Sequence, residues 1–158
     1  MIIKDIREVV GDWSCNAALI ATAFCDWKCE LEGTLTKCAC QNSHLARLPN
    51  YDLTYADIID IYSKYDTVSA LIFAGLEPLL QLTDVLGLIE VFREDFSDPV
   101  IIYTGYNKDE IFEALESLSE YSDIYMKFGR YIAGHKPHRD PLVGVELASD
   151  NQYFEKLS

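Results

Sequence analysis

The chain has 158 residues, of which 49% are hydrophobic, and this composition excludes an intrinsically disordered protein and is sufficient for a folded core. Its 13 Lys and Arg residues are outnumbered by 26 Asp and Glu residues, which gives a formal net charge of −13. That charge argues against the cationic surface with which proteins bind nucleic acids or anionic membranes. We therefore expect one acidic domain over residues 1–158 that binds neither.

The N-terminal segment and the cysteines indicate in which cellular compartment the protein is expected. Residues 1–11 are interrupted by charges at Lys4, Asp5, Arg7 and Glu8, and no stretch reaches the ~18 apolar residues of a membrane span. We expect a cytoplasmic protein without a targeting segment. Four of the five cysteines fall within residues 25–40. In a reducing compartment, clustered cysteines favour metal or redox chemistry over disulfides.

Short apolar runs alternate with helical patterns along the chain. Continuous apolar runs predict buried strands at residues 16–24, 67–74, 99–104 and 123–128, and a last extended piece is expected at 142–147. Three helices are predicted between the strands. One starts at Thr54 and continues to Tyr65, one has apolar residues at helical spacing from Leu82 to Phe92, and one starts at Asn107.

This alternation predicts an α/β fold with a mostly parallel sheet, arranged as a small partial (β/α) barrel or as an open sheet. About four βα units are too few to close an eight-stranded barrel. Ligands of such sheets bind beyond the carboxyl ends of the strands. The cysteines, residues 75–78 and residues 104–106 all follow predicted strands. We therefore expect these three segments to meet at one edge of the sheet.

The cysteine spacing is Cys25-x3-Cys29-x8-Cys38-x-Cys40. Thiolates are soft ligands that bind zinc and iron–sulfur clusters. A zinc knuckle usually has about two to four residues between paired cysteines, and the single residue between Cys38 and Cys40 is short for that pattern. By spacing alone, a cluster, a zinc site and free buried thiols all remain open.

Taken together, the motifs resemble the radical S-adenosylmethionine superfamily, and specifically the activating proteins of anaerobic (class III) ribonucleotide reductase. Members of that family carry a Cys-x3-Cys-x2-Cys loop after the first strand. Cys25 and Cys29 match its first spacing, and Asn42, shortly after Cys40, matches its end. The family's Gly-Gly-Glu-Pro-Leu turn corresponds to GLEPL at residues 75–79. The TGY at residues 104–106 and the SDNQ at 149–152 match the reductase-activating branch.

The chain departs from the family pattern at two places. Ten residues separate Cys29 from Cys40 where the family usually has two, and Cys38 lies inside this insertion. Leu76 replaces the second glycine of the turn, which narrows the conformations open to the backbone there.

The resemblance implies a radical-SAM-like domain whose cysteine loop, residues 25–40, holds a [4Fe–4S] cluster through Cys25, Cys29 and Cys40, with Cys38 as the alternate third ligand. The iron without a protein ligand would bind S-adenosylmethionine. The residues that the resemblance implies for binding this cofactor are Gly75, Leu76, Glu77, Pro78 and Thr104. No side chain is expected to be catalytic by itself, because the radical is generated at the cluster-bound cofactor.

The implied activity is that of an oxidoreductase that generates a 5′-deoxyadenosyl radical and installs a glycyl radical on a large partner enzyme. The expected partner is anaerobic ribonucleotide reductase, and the expected electron donor is a flavodoxin or ferredoxin. Residues 129–150 contain Arg130, Lys136 and Arg139, and we expect a surface loop that docks the partner or a loop that merely packs over the sheet. The alternative function is a non-enzymatic α/β binding or regulatory module with a structural four-cysteine zinc or iron–sulfur site.

Overall fold

The computed structural model describes residues 1–31 and 40–158. The strands in these residues are β1 (Ile2–Val9), β2 (Ala17–Thr22), β3 (Tyr51–Asp52), β4 (Leu71–Gly75), β5 (Val100–Tyr103), β6 (Ile124–Phe128), β7 (His138–Arg139), β8 (Glu146–Leu147) and β9 (Tyr153–Lys156). The α-helices are α1 (Lys28–Leu31), α2 (Tyr55–Tyr62), α3 (Leu82–Asp95) and α4 (Phe112–Leu118). Short 3-10 helices span Ser43–Arg47, Pro78–Gln81 and Lys108–Glu110.

Seven of the strands in the described residues form one open sheet in the order β3-β1-β2-β4-β5-β6-β9. The four central strands, β2, β4, β5 and β6, are parallel. Antiparallel strands extend this centre on both sides, with β1 and β3 at one edge and β9 at the other. The predicted α/β class is confirmed, and the sheet is not closed into a barrel.

The four predicted strands correspond to the four parallel strands. Each of these strands is buried on both faces of the sheet. Ile20, Phe73 and Ile102 have no exposed surface and lie on the face covered by the helices. Leu19 and Ile72 alternate with them and pack on the opposite face. Strands of this kind appear in a sequence as continuous apolar runs, which is why they were predictable.

Three strands of the sheet, β1, β3 and β9, were not predicted. Charged residues interrupt the apolar pattern of β1, and the strand lies towards an edge of the sheet, where one face reaches solvent. Lys4 is nevertheless buried, because its ammonium donates a hydrogen bond to the Leu48 carbonyl at 2.8 Å. The predicted extended piece at 142–147 is shorter than expected, since only β8 within it is a strand.

The helix predicted to start at Thr54 begins there, whereas the helix predicted to start at Asn107 begins as a 3-10 turn and becomes α-helical only at Phe112. The Thr54 hydroxyl accepts a hydrogen bond from the Asp57 amide, and the Asp57 carboxylate accepts one from the Thr54 amide. This helix ends at Tyr62, one turn before the expected Tyr65. Asn107 precedes a 3-10 turn that leads into α4. No helix in the described part of the chain is long and apolar enough to cross a membrane.

The two faces of the sheet are covered differently. Helices α2, α3 and α4 cover one face. The other face is covered by Trp13, Val145, Leu147 and Phe154 from loops and edge strands. Near the carboxyl end of β2 the side chain on this second face is small, Ala21, and its neighbour on β4 is also an alanine. These short side chains leave space above the sheet.

Candidate functional site

A cavity of about 380 Å³ occupies that space. Three loops that follow β2, β4 and β5 contribute residues to its lining, and these include Cys25, Cys29 and Cys40, then Gly75, Leu76 and Glu77, and then Thr104. The cavity therefore joins the three segments that the sequence places at one edge of the sheet.

Two of the residues predicted to bind the cofactor or the cluster are not among the described residues that line the cavity. Pro78 is buried at the start of the 3-10 helix Pro78–Gln81, and the described lining of the cavity does not include it. Cys38 lies outside the described residues.

The cysteines at the cavity are free thiols that interact with one another. Cys29 and Cys40 form a hydrogen bond, which lowers the pKa of Cys40 to about 6 and raises the pKa of Cys29. Burial raises the pKa of Cys25. Cys15 is also a free thiol, but it lies apart from the cavity, with its Sγ 3.8 Å from the Ser69 carbonyl oxygen.

The donor set suits an iron–sulfur cluster. Three thiols line one cavity, and thiolates are the ligands by which such clusters are held. Within residues 1–31 and 40–158, no three Cys, His, Asp or Glu side chains are arranged to hold a single metal ion. The thiolates of a cluster bind different irons and do not have to converge on one atom.

The segment between Cys25 and Cys29 forms a tight turn. Trp27 has a φ of 59°, in the left-handed region that residues with a side chain seldom occupy. Its amide donates a hydrogen bond to the Cys25 Sγ at 3.3 Å. The next amide, that of Lys28, donates to the Asp26 carboxylate at 3.2 Å.

The turn after β4 is held by residues just before and just after the cysteine loop. Gly75 has a φ of +88°, and a Cβ at this position would lie 2.8 Å from the Ala21 Cα, so a residue without a side chain is required. The Asn42 side-chain amide donates to the Gly75 carbonyl at 2.6 Å. The Glu77 amide donates to the Phe24 carbonyl at 2.7 Å.

The Glu77 side chain joins this turn to the turn after β5. Its carboxylate accepts hydrogen bonds from the Leu79 amide at 3.1 Å, the Thr104 hydroxyl at 2.9 Å and the Gly105 amide at 2.8 Å. Burial raises the pKa of Glu77, and these three hydrogen bonds oppose the rise. Glu77 thus holds two walls of the cavity together.

Lys127 is a cavity residue that the sequence analysis missed. It lies on β6, is 8% exposed, and its ammonium donates to the Gly129 carbonyl at 2.7 Å. Burial lowers its pKa to about 8, while the Glu77 carboxylate acts in the opposite direction. The signal was a single lysine inside the otherwise apolar end of a predicted buried strand, between Met126 and Phe128.

The expected docking role of Arg130 needs correction. Its side chain is buried and forms two hydrogen bonds of 2.6 Å with the Glu110 carboxylate. Arg130 is therefore part of the cavity wall, not a surface cation. Lys136 and Arg139, the other two basic residues named in that segment, are exposed.

A comparison with protein families matches residues 22–152 to the model of a 4Fe–4S single cluster domain. The match begins at the last residue of β2 and includes every residue that the sequence analysis assigned to the cluster and the cofactor. A search of the curated proteins found no match.

Proposed function

The chain belongs to the 4Fe–4S single cluster domain family, and from this we propose that it is a radical S-adenosylmethionine activase that installs a glycyl radical on a partner enzyme. The observation that carries the proposal is the shared cavity. Three cysteines line it together with Gly75 and Leu76, the residues that correspond to the cofactor-binding turn of the resembling family.

In the proposed site, Cys25, Cys29 and Cys40 hold the [4Fe–4S] cluster, and Cys38 is the alternate third ligand. The chemistry that the bound cluster supplies is one-electron reduction of S-adenosylmethionine, which breaks a sulfonium C–S bond to give methionine and a 5′-deoxyadenosyl radical that takes a hydrogen atom from a glycine of the partner. The electron comes from a flavodoxin or ferredoxin.

The chain's own groups suit an amino-acid ligand such as S-adenosylmethionine. The carbonyl groups of Gly75 and Leu76 are candidate acceptors for its ammonium group. The ammonium of Lys127 supplies a positive charge within the same cavity, which offsets the negative charge of a carboxylate. Glu77, Thr104 and Pro78 support this turn and the neighbouring wall of the cavity.

The partner in this proposal is a glycyl radical enzyme, with anaerobic ribonucleotide reductase as the first to test. Cavity-lining residues from three loops lie at one end of the strands, and the cavity is partly open to solvent. A macromolecular substrate can dock over such an opening.

Anaerobic reconstitution with iron and sulfide tests the cluster. We expect Cys25→Ala, Cys29→Ala and Cys40→Ala to lose the [4Fe–4S] absorption and most of the iron bound per chain. Cys38→Ala and the matched control Cys15→Ala should retain both. If Cys38→Ala loses the cluster and Cys40→Ala keeps it, the third ligand is Cys38.

The same preparation tests the enzyme. After reduction, the loaded wild-type protein should convert S-adenosylmethionine to methionine and 5′-deoxyadenosine, and the three ligand variants should not. A colourless protein that binds zinc through four cysteines would instead support the structural-site alternative. A stable cluster without any cleavage of S-adenosylmethionine would overturn the activase proposal.

A further inference from the structure

Tyr106 makes a long-range hydrogen bond to the cysteine loop. Its hydroxyl donates to the Asp26 Oδ2 at 2.7 Å, and Asp26 lies directly after Cys25. The other carboxylate oxygen, Oδ1, accepts the Lys28 amide at 3.2 Å. One carboxylate therefore connects the turn after β5 to the backbone on the far side of Trp27.

Trp27 depends on such support. Its left-handed backbone, with a φ of 59°, persists only where the surrounding contacts hold it. At the start of the same turn, the Trp27 amide donates to the Cys25 Sγ at 3.3 Å. Release of Asp26 would remove a contact that fixes the turn and would weaken this N–H···S hydrogen bond.

Tyr106 is well placed to act as an anchor. Its amide donates to the Thr104 hydroxyl oxygen at 3.0 Å, and that hydroxyl in turn donates to Glu77. Its ring has the Lys28 ammonium 4.5 Å from the ring centroid and the Arg130 guanidinium 5.9 Å from it. These contacts restrict the movement of the ring, so that the hydroxyl holds Asp26 from a fixed position.

We propose that Asp26 and Tyr106 are positioning residues that hold the Trp27 amide on the Cys25 sulfur and thereby set the reduction potential of the cluster. The inference rests on Cys25 being a cluster ligand, as in the proposed function. Hydrogen bonds to cluster sulfurs are one of the determinants of reduction potential, because they stabilise the more negative, reduced state.

Tyr106→Phe tests the inference without a change of charge. We expect the variant to keep its iron content while its reduction equilibrium constant falls about two- to fivefold, in line with the weakening of one hydrogen bond. At a potential that leaves the wild type half reduced, the variant should be about one third to one sixth reduced. Electron–nuclear double resonance of the reduced cluster should show a weaker coupling to the exchangeable amide proton. Tyr51→Phe, at an exposed tyrosine on edge strand β3, is the control and should change neither readout.

A second pair of variants separates hydrogen bonding from charge. Asp26→Asn and Asp26→Ala both remove the negative charge, but only the asparagine keeps a side chain that can bond to Tyr106 and to the Lys28 amide. We expect Asp26→Asn to retain the exchangeable-proton coupling and Asp26→Ala to weaken it. The midpoint potential of Asp26→Ala should be more negative than that of Asp26→Asn.

The outcomes separate this inference from the proposed function. Two results together would overturn the positioning role. Tyr106→Phe would have the potential and the proton coupling of the wild type, and the two Asp26 variants would have equal potentials and equal couplings. The iron content of the wild type tests the cluster site independently. If the cluster forms but S-adenosylmethionine is not cleaved, the activase proposal fails while the potential measurements still decide this inference.

Discussion

At the scale of single residues, Gly75 shows how the sheet determines the shape of the cavity. It ends β4, pairs with Thr22 on β2, and approaches the backbone of the neighbouring strand so closely that a Cβ would be 2.8 Å from the Ala21 Cα. The carbonyl of the same residue accepts a hydrogen bond from Asn42. A shift of this backbone would therefore move the end of the cysteine loop as well.

We expect Gly75→Ala to destabilise the fold by two separate costs. The positive φ costs about 1–2 kcal/mol for any residue with a Cβ, and the clash with a backbone atom adds about 1–3 kcal/mol. The measurement is the free energy of unfolding in urea. The variant should also bind S-adenosylmethionine more weakly when the cluster is loaded.

Gly134→Ala is the matched control for this substitution. Gly134 has nearly the same φ, +85°, but a Cβ there would meet nothing within 4 Å. It should therefore show only the cost of the backbone conformation. Equal losses of stability in the two variants would contradict the argument that close packing against Ala21 excludes a side chain.

At the scale of secondary-structure elements, Glu110 connects the start of α4 to the loop after β6. Its carboxylate accepts a hydrogen bond from the Asn107 amide at 2.8 Å and pairs with the Arg130 guanidinium through both oxygens. Lys28 approaches the same carboxylate at 3.5 Å. The ion pair therefore links three loops around the cavity.

This ion pair should make stability depend on pH. The hydrogen bond from Arg130 lowers the pKa of Glu110 from its ordinary value of 4.5 to about 2. Because the pKa is lower in the folded state, the contribution to stability is complete above pH 4.5 and is lost as the pH falls towards 2. The Glu110 side chain is 26% exposed, so solvent screening reduces the size of the effect.

Urea unfolding of the wild type and of Glu110→Gln between pH 7 and pH 3 checks this prediction. The stability difference between the two proteins should be largest near neutral pH and should shrink as the pH falls. Glu113→Gln, at an exposed position in the first turn of α4, is the control and should track the wild type. A difference that stays constant over the whole range would show that the Glu110–Arg130 pair does not produce the dependence.

At the scale of the whole molecule, some of residues 129–150 line the cavity and others are exposed to solvent. Arg130, Tyr131 and Glu146 contribute to the cavity lining, whereas Lys136 and Arg139 are exposed. In a chain with a net charge of −13, these are two exposed cations within a segment that also contributes residues to the cavity lining. We interpret the surface around them as the docking site of the proposed partner.

Charge reversal at both positions, Lys136→Glu with Arg139→Glu, should slow activation of the partner enzyme severalfold. Exposed charges at the rim of an interface mainly change the association rate and its salt dependence. Cleavage of S-adenosylmethionine without the partner should be unchanged. Lys64→Glu, at an exposed lysine beyond α2, is the control and should not slow activation. Equal losses of both activities in the double variant would contradict a docking role.

The sequence alone determined the parallel centre of the sheet and the edge at which the cysteine loop and the two later turns meet. The strands β2, β4, β5 and β6 are buried on both faces, so their apolar runs were visible without a structure. Thr54 marks a helix start through hydrogen bonds to residues close in the chain. The sequence also places the cysteine loop, the turn after β4 and the turn after β5 side by side, because parallel strands bring their carboxyl ends to one edge of the sheet.

Only the tertiary structure decided the contacts between segments distant in the chain. Strand β1, next to the edge strand β3, and edge strand β9 lack a continuous apolar run, since part of their surface reaches solvent. Arg130 looks like a surface cation in the sequence, yet its partner Glu110 is twenty positions away and draws it into the cavity wall. Asp26 and Tyr106 are eighty positions apart, and their hydrogen bond exists because the sheet places β2 and β5 on either side of β4. Local patterns specify elements, whereas the pairing of side chains across the cavity depends on the packing of the whole sheet.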